Sequence, residues 1–392
     1  MLKIYNSLSG KKETFSPLKN KEVKIYVCGI TPYDTTHLGH AFSYIFYDAL
    51  IRYLIFKGYK VKYTQNVTDI NDRDKDILQR AEEQNIPWQK LADFWTKRFL
   101  GDMKSLNWIM PTNYVKASEN IPSMINLIQK LLDNGFAYEK NGSVYFNISM
   151  KKDFGKLSKL NASQMVKLAK EFDEDVENVD KKHPLDITLW RATSSNQPKH
   201  IPSFESPFGE GRPGWHIECS AMSMFSLGDQ FDIHGGGVDL IYPHHESEIA
   251  QSEGASGKIP FAKYWMHTAP VAYQGKKMSK SLGNLIMVSD LLHKYSPNAI
   301  RWLLLSHHYR KAWEFYEKDI ILAQDNWKTI KNIINGDSRN NNKTDQISMD
   351  KFIKLMDDDI NTPLVLSFIL ERSNNIPKHS LKQILLILGF KI

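Results

Sequence analysis

From Glu22 to Cys28 the chain alternates, with β-branched and aromatic residues between polar ones, which predicts a strand. A turn rich in Gly, Thr, Pro and Asp follows from Gly29 to Thr36. Ala41, Tyr44, Ile45, Asp48, Ala49, Arg52 and Tyr53 then recur at helical spacing, and Gly58 is placed to end that helix. A second strand is predicted over Lys60–Val67. This strand–helix–strand unit of about 45 residues is how a parallel nucleotide-binding sheet begins.

Helical periodicity dominates from Ile70 to about Gly135. Phe136 to Phe146 reads as a hairpin turning at Asn141-Gly142. Lys156 to His183 is polar, partly acidic and expected to be helical. Sheet character returns at Phe231 to His234 and at Tyr264 to Ala272, and from Asp290 the pattern is helical almost to the end. The Asn-rich stretch Asn335 to Asp345 reads as a linker. The expected organisation is α/β: residues 1–114 and 206–290 as two halves of a Rossmann-like domain, 115–205 inserted between them, and 291–392 as a helical region.

Composition changes this picture little. The 392 residues include 42% hydrophobic and 24% charged, ordinary for a globular enzyme with a sizeable core. No apolar run reaches the ~18 residues of a membrane span, and residues 1–16 lack the apolar core of a secretory signal, so a cytoplasmic protein is expected. A net charge of +7 permits a polyanionic partner such as RNA. Two cysteines, Cys28 and Cys219, are too few for a disulfide scaffold and are open to metal binding, catalysis or inert burial.

Two motifs bear chemistry. His37-Leu38-Gly39-His40 stands at the predicted helix start, where free N–H groups and the positive dipole end attract phosphate. Gly39 permits close backbone approach, and two histidines three apart can both donate towards a triphosphate, although such a string can equally be a surface cap. Lys277-Met278-Ser279-Lys280-Ser281 offers Lys277 and Lys280 on a loop that can follow charge moving onto leaving pyrophosphate; alone it is a solvated basic loop. Their order, about 240 residues apart and each beside a predicted strand, favours a shared site.

With those motifs, the chain resembles the class I aminoacyl-tRNA synthetases, and within them the cysteinyl-tRNA synthetase family. The narrower likeness is carried by Val27–Asp34, by Gly211–Ser220 (GRPGWHIECS) and by Phe231–Gln251 (FDIHGGGVDLIYPHHESEIAQ), within a resemblance spanning roughly 20–320. It implies a class I catalytic domain with a connective insertion. It implies ATP, with Mg²⁺, bound at His37, His40, Lys277 and Lys280, and the adenylate near Thr31, Gly39, His234, Gly237, Asp239 and Val271. It implies cysteine held near Cys28, Asn66, Thr68 and Trp215. It implies one Zn²⁺ on Cys28, Cys219, His244 and Glu248, all competent ligand types, with His244 and Glu248 four apart on one helical face. Four protein ligands leave no open tetrahedral position, so a substrate thiolate would add as a fifth ligand or displace Glu248.

The implied partner is tRNA-Cys and the implied state a monomer. Family members carry a longer C-terminal bundle and a small anticodon-reading domain, so a compact form without the full anticodon domain is expected. A rival reading is the cysteine ligase of the mycothiol pathway, which acylates an amino sugar linked to inositol; Ile30–Asp34, Leu38–His40 and His307–Arg310 resemble it. Two features favour the tRNA acceptor: Glu248 completes the four-ligand set typical of the synthetases, and the Glu-Arg-Gly-Gly-Asp-Pro stretch of the ligases is absent, residues 172–183 reading FDEDVENVDKKH. A non-catalytic RNA-binding paralogue is disfavoured because the catalytic motifs are whole.

Overall fold

The computed structural model describes residues 1–33, 36–73, 77–278, 282–336, 346–373 and 375–392. Its centre is a five-stranded parallel sheet in the order Ala262–Thr268, Phe231–Gly237, Glu22–Ile30, Lys60–Val67, Asn113–Lys116. Register is set at the middle: His234 stands opposite Tyr26, and Tyr26 opposite Thr64. Chain order reverses on passing Glu22–Ile30, which makes the carboxyl end of that strand a topological switch point, where open α/β sheets bind ligands.

Both faces of the sheet are covered, and the central strand shows it residue by residue. Val23, Ile25 and Val27 enter one core with helix Leu38–Phe56 and the C-terminal helices. Tyr26 and Cys28 enter the other core with helix Trp215–Leu227. That is the period-2 alternation of a strand buried on both sides. Thirteen of the 19 residues of helix Leu38–Phe56 are buried, so it is a central helix rather than a half-exposed amphipathic one. It packs between the sheet and helices Pro297–Leu305 and Lys378–Ile387.

Gly29 lets the chain cross tightly at the strand end: a Cβ there would lie 1.6 Å from the Asn66 carbonyl oxygen. The pairing register shifts at this point, between Val27 and Ile30.

Between the sheet halves lies an antiparallel sheet of Ala137–Lys140, Ser143–Phe146, Ile187–Ala192 and Gly211–Pro213. The hairpin turns at Asn141-Gly142, both at positive φ (51° and 77°), as a tight hairpin requires. The fourth strand, Gly211–Pro213, lies past residue 205 and runs directly into helix Trp215–Leu227.

Two expectations change. Helix within Lys156 to His183 is confined to Ala162–Glu171, because the Asn161–Gln164 capping box starts it late and Asp173 turns left-handed (φ 56°) just after it. Asn113–Lys116 is a strand that periodicity did not signal; four half-buried residues are too few to show alternation. Of the expected linker, residues 337–345 lie outside the described residues. No helix among the described residues is long and apolar enough to cross a membrane.

Candidate active site and metal centre

A cleft opens at the switch point. His37, Gly39 and His40 line one side, Gly237, Asp239, Val271 and Lys277 another, and Cys28, Cys219, His244 and Trp215 close its inner end; Thr31, Asn66 and Thr68 also face it. His37 is the N-cap of helix Leu38–Phe56: its Nδ1 accepts from the His40 N–H at 3.3 Å. The two imidazoles stack at 3.7 Å, so the pair is presented as one unit at the helix's positive end. Asn66 accepts the Gly29 N–H through Oδ1 at 2.7 Å and donates from Nδ2 to Thr68 Oγ1 at 3.1 Å, which ties two strand ends together at the cleft.

Opposite, Lys277 Nζ donates to Asp239 Oδ2 at 3.0 Å; both side chains are about half exposed, so the pair is weakly held and open to exchange for ligand charge. Lys280 lies outside the described residues. His234 does not line the cleft. It is wholly buried and its Nε2 lies 2.9 Å from Glu248 Oε2. Its strand alternation turns it to the side of the sheet that carries Tyr26 and Trp265 rather than into the cleft.

At the cleft's inner end the fold brings Cys28, Cys219, His244 and Glu248 together, with ligand atoms all within 4.8 Å of one another. The sulfurs are 3.9 Å apart, and His244 Nε2 is 3.3 Å from Glu248 Oε1. A tetrahedral ion with Zn–S of about 2.3 Å and Zn–N/O of about 2.05 Å needs edges of about 3.8 Å and about 3.3 Å, so these residues fit a metal of that kind. Burial pushes the Cys28 thiol and the Glu248 carboxyl up, and holds the His244 and His245 imidazoles in their neutral form. Burial at one point disfavours thiolate and carboxylate unless a cation joins them, and a neutral imidazole offers such a cation its lone pair.

A second grouping, Cys28, His234, His245 and Glu248, overlaps the first. Only the first places three of its members, Cys28, Cys219 and His244, on the cleft wall. In it His234 and His245 become outer partners: His245 Nε2 is 3.3 Å from Cys28 Sγ, and its Nδ1 is 2.8 Å from His267 Nε2. Sequence reasoning passed over His216, His245 and His267. For His245 a signal existed, since it stands three residues before Glu248 on one helical face, beside His244.

Trp215 forms the remaining wall. Its ring stacks on the His244 imidazole at 4.4 Å, its backbone N–H donates to Asp72 Oδ1 at 3.1 Å, and the Arg73 guanidinium lies 4.0 Å from the ring centroid.

Similarity to known proteins points to one family. The family described as tRNA synthetases class I (C) catalytic domain matches residues 14–325. A "Cysteine--tRNA ligase" of Trichodesmium erythraeum is 44% identical over 96% of this chain and 79% of its own length. Namesakes from Thermococcus onnurineus (42%; 97% and 81%) and Legionella pneumophila (41%; 100% and 85%) are alike. In fold, the chain resembles Mycobacterium tuberculosis methionyl-tRNA synthetase in complex with methionyl-adenylate, with a TM-score of 0.59 at 16% identity over 94% of this chain and 82% of that one. Switch-point cleft, histidine pair, cysteine-containing cluster and near-full-length identity converge, and the chain belongs to the class I tRNA synthetases of the cysteine--tRNA ligase family.

Proposed function

We propose that this chain activates L-cysteine with ATP and transfers it to tRNA-Cys. The observation that carries the reading is one cleft joining the stacked His37–His40 pair to a buried cluster containing both cysteines. Relatives named cysteine--tRNA ligase over nearly the whole chain favour it over the amino-sugar acceptor.

In this reading His37, Gly39 and His40 receive the triphosphate, which is bound with Mg²⁺, at the helix N-terminus. The adenosine lies along Thr31, Gly237, Asp239 and Val271, with Asp239 accepting from ribose hydroxyls. Cysteine lies between Thr68, Asn66 and Trp215. Its carboxylate oxygen attacks the α-phosphorus, the bond to the β-phosphate oxygen breaks, and pyrophosphate leaves. Lys277 and Lys280 meet the charge that builds on the leaving group, so they contribute in the transition state more than in the ground state. The terminal ribose hydroxyl of the tRNA then attacks the carbonyl and AMP departs. No protein nucleophile takes part; position and charge supply the rate.

Cys28, Cys219, His244 and Glu248 would hold one Zn²⁺. When bound, it supplies a soft acid that favours a substrate thiol as thiolate and disfavours a serine hydroxyl. Ligand-based selection of that kind can reject analogues by on the order of 10⁴, which suits a site without a separate editing step. A monomeric, cytoplasmic enzyme completes the reading.

The test offers purified protein ATP and labelled cysteine with either tRNA-Cys or glucosaminyl-inositol. Label is expected on the tRNA. Label on the amino sugar alone would leave the activation chemistry standing and overturn its destination.

A further inference from the structure

Glu174 follows helix Ala162–Glu171 in the region between the sheet halves, far in sequence from every residue of the cleft. Its Oε1 accepts from Arg73 Nη2 at 2.9 Å and lies 3.2 Å from His216 Nε2. His216 is almost wholly buried, and its Nδ1 is 2.8 Å from His244 Nδ1. Each arm thus ends on the inner wall of the cleft. The Arg73 guanidinium sits 4.0 Å from the Trp215 ring centroid, and His244 stacks on that same ring at 4.4 Å.

The hydrogen-bond order along the second arm has a direction. An ionised carboxylate only accepts, so His216 Nε2 carries the proton. A ligating His244 keeps its lone pair on Nε2 and its proton on Nδ1, and that N–H points at His216 Nδ1, 2.8 Å away, which accepts it. His244 Nε2 is the nitrogen 3.3 Å from Glu248 Oε1, inside the cluster of candidate ligands. Reversing the chain would place a hydrogen where a metal ligand needs a lone pair. Outer carboxylates fix histidine ligands in this way, at a typical worth of about 10–100-fold in metal affinity or activity.

We infer that Glu174 is a positioning residue for cysteine selection: one carboxylate from the inserted region sets both the Trp215 wall, through Arg73, and the ligating tautomer of His244, through His216. This rests on the reading of Trp215 and His244 as parts of the cysteine site.

The test compares zinc-loaded wild type, Glu174→Ala, Glu174→Gln and Trp215→Ala. Cysteine-dependent pyrophosphate exchange gives KM for cysteine and for ATP, a chromogenic chelator gives the rate of zinc release, and thermal unfolding reports the fold. Glu174→Ala is expected to raise KM for cysteine about 10-fold and to speed zinc release by a similar factor, with KM for ATP within about twofold and an unchanged melting temperature. Glu174→Gln keeps an acceptor oxygen and is expected to fall between. Unchanged cysteine KM and zinc release in Glu174→Ala would overturn the inference. So would equal losses for cysteine and ATP with a lowered melting temperature, the mark of a structural role; should the alanine variant fail to fold, the glutamine variant decides by the same two readouts. If Trp215→Ala also leaves KM for cysteine untouched, the pocket reading itself falls and the inference with it.

Discussion

Arg301 and Asp48 form an ion pair that is wholly buried, between helix Pro297–Leu305 and the helix that carries the histidine motif. Arg301 also donates to the carbonyls of Leu106 and Leu388, and Asp48 also accepts from Arg52 Nε and the Ile109 N–H. One salt bridge therefore fastens helix Leu38–Phe56 to the C-terminal helices at a point where neither charge meets water. Gly389, at φ 79°, leaves the space this requires: a Cβ there would run into the Arg301 guanidinium.

Removing one partner of such a pair strands the other. Arg301→Met is expected to lower stability by about 3–5 kcal/mol in urea unfolding. A loss under about 1 kcal/mol would mean that Asp48 is satisfied by Arg52 and Ile109 alone.

Cys219→Ala removes one of the two sulfurs of the buried cluster. Wild-type protein is expected to contain one zinc per chain by elemental analysis, and the variant to lose it together with cysteine-dependent pyrophosphate exchange. Stoichiometric zinc retained in the variant would break the ligand set.

Among the described residues Lys277 makes a half-exposed pair with Asp239, so truncating it costs the fold little. Lys277→Ala is expected to reduce kcat of pyrophosphate exchange by about 10²–10³ with the melting temperature unchanged. Lys280→Ala is expected to act in the same direction. Exchange at the wild-type rate would remove either lysine from the mechanism.

Burial holds the His307 imidazole, stacked on Trp313 at 3.9 Å, down to about 4 from its ordinary 6.5. The folded chain thus binds this proton less readily than the unfolded chain. The stability contributed is full above pH 6.5 and is lost as pH falls towards 4. His307→Gln is expected to flatten the fall of the urea midpoint between those values; an identical slope would show that His307 is not its source.

Much was legible locally. The strands Glu22–Ile30 and Lys60–Val67 follow from alternation and turn residues, and the helix start at His37 from its capping position. The hairpin at Asn141-Gly142 follows from two residues that tolerate positive φ. The four candidate ligands came from the family resemblance and not from spacing, since Cys28 and Cys219 are 191 residues apart. The strand Asn113–Lys116 was not legible, because it is too short to carry a period.

Sequence by itself thus determined most of the elements, through periodicity, and the family, through the resemblance its motifs carry, since both are written along the chain. Tertiary structure alone decided who touches whom across the sheet. It turned His234 away from the cleft to Glu248, set His245 beside Cys28, and brought Glu174 to Arg73 and His216. The physical reason is that a buried polar group must find a partner in space, and the partner's sequence number carries no signal of that contact.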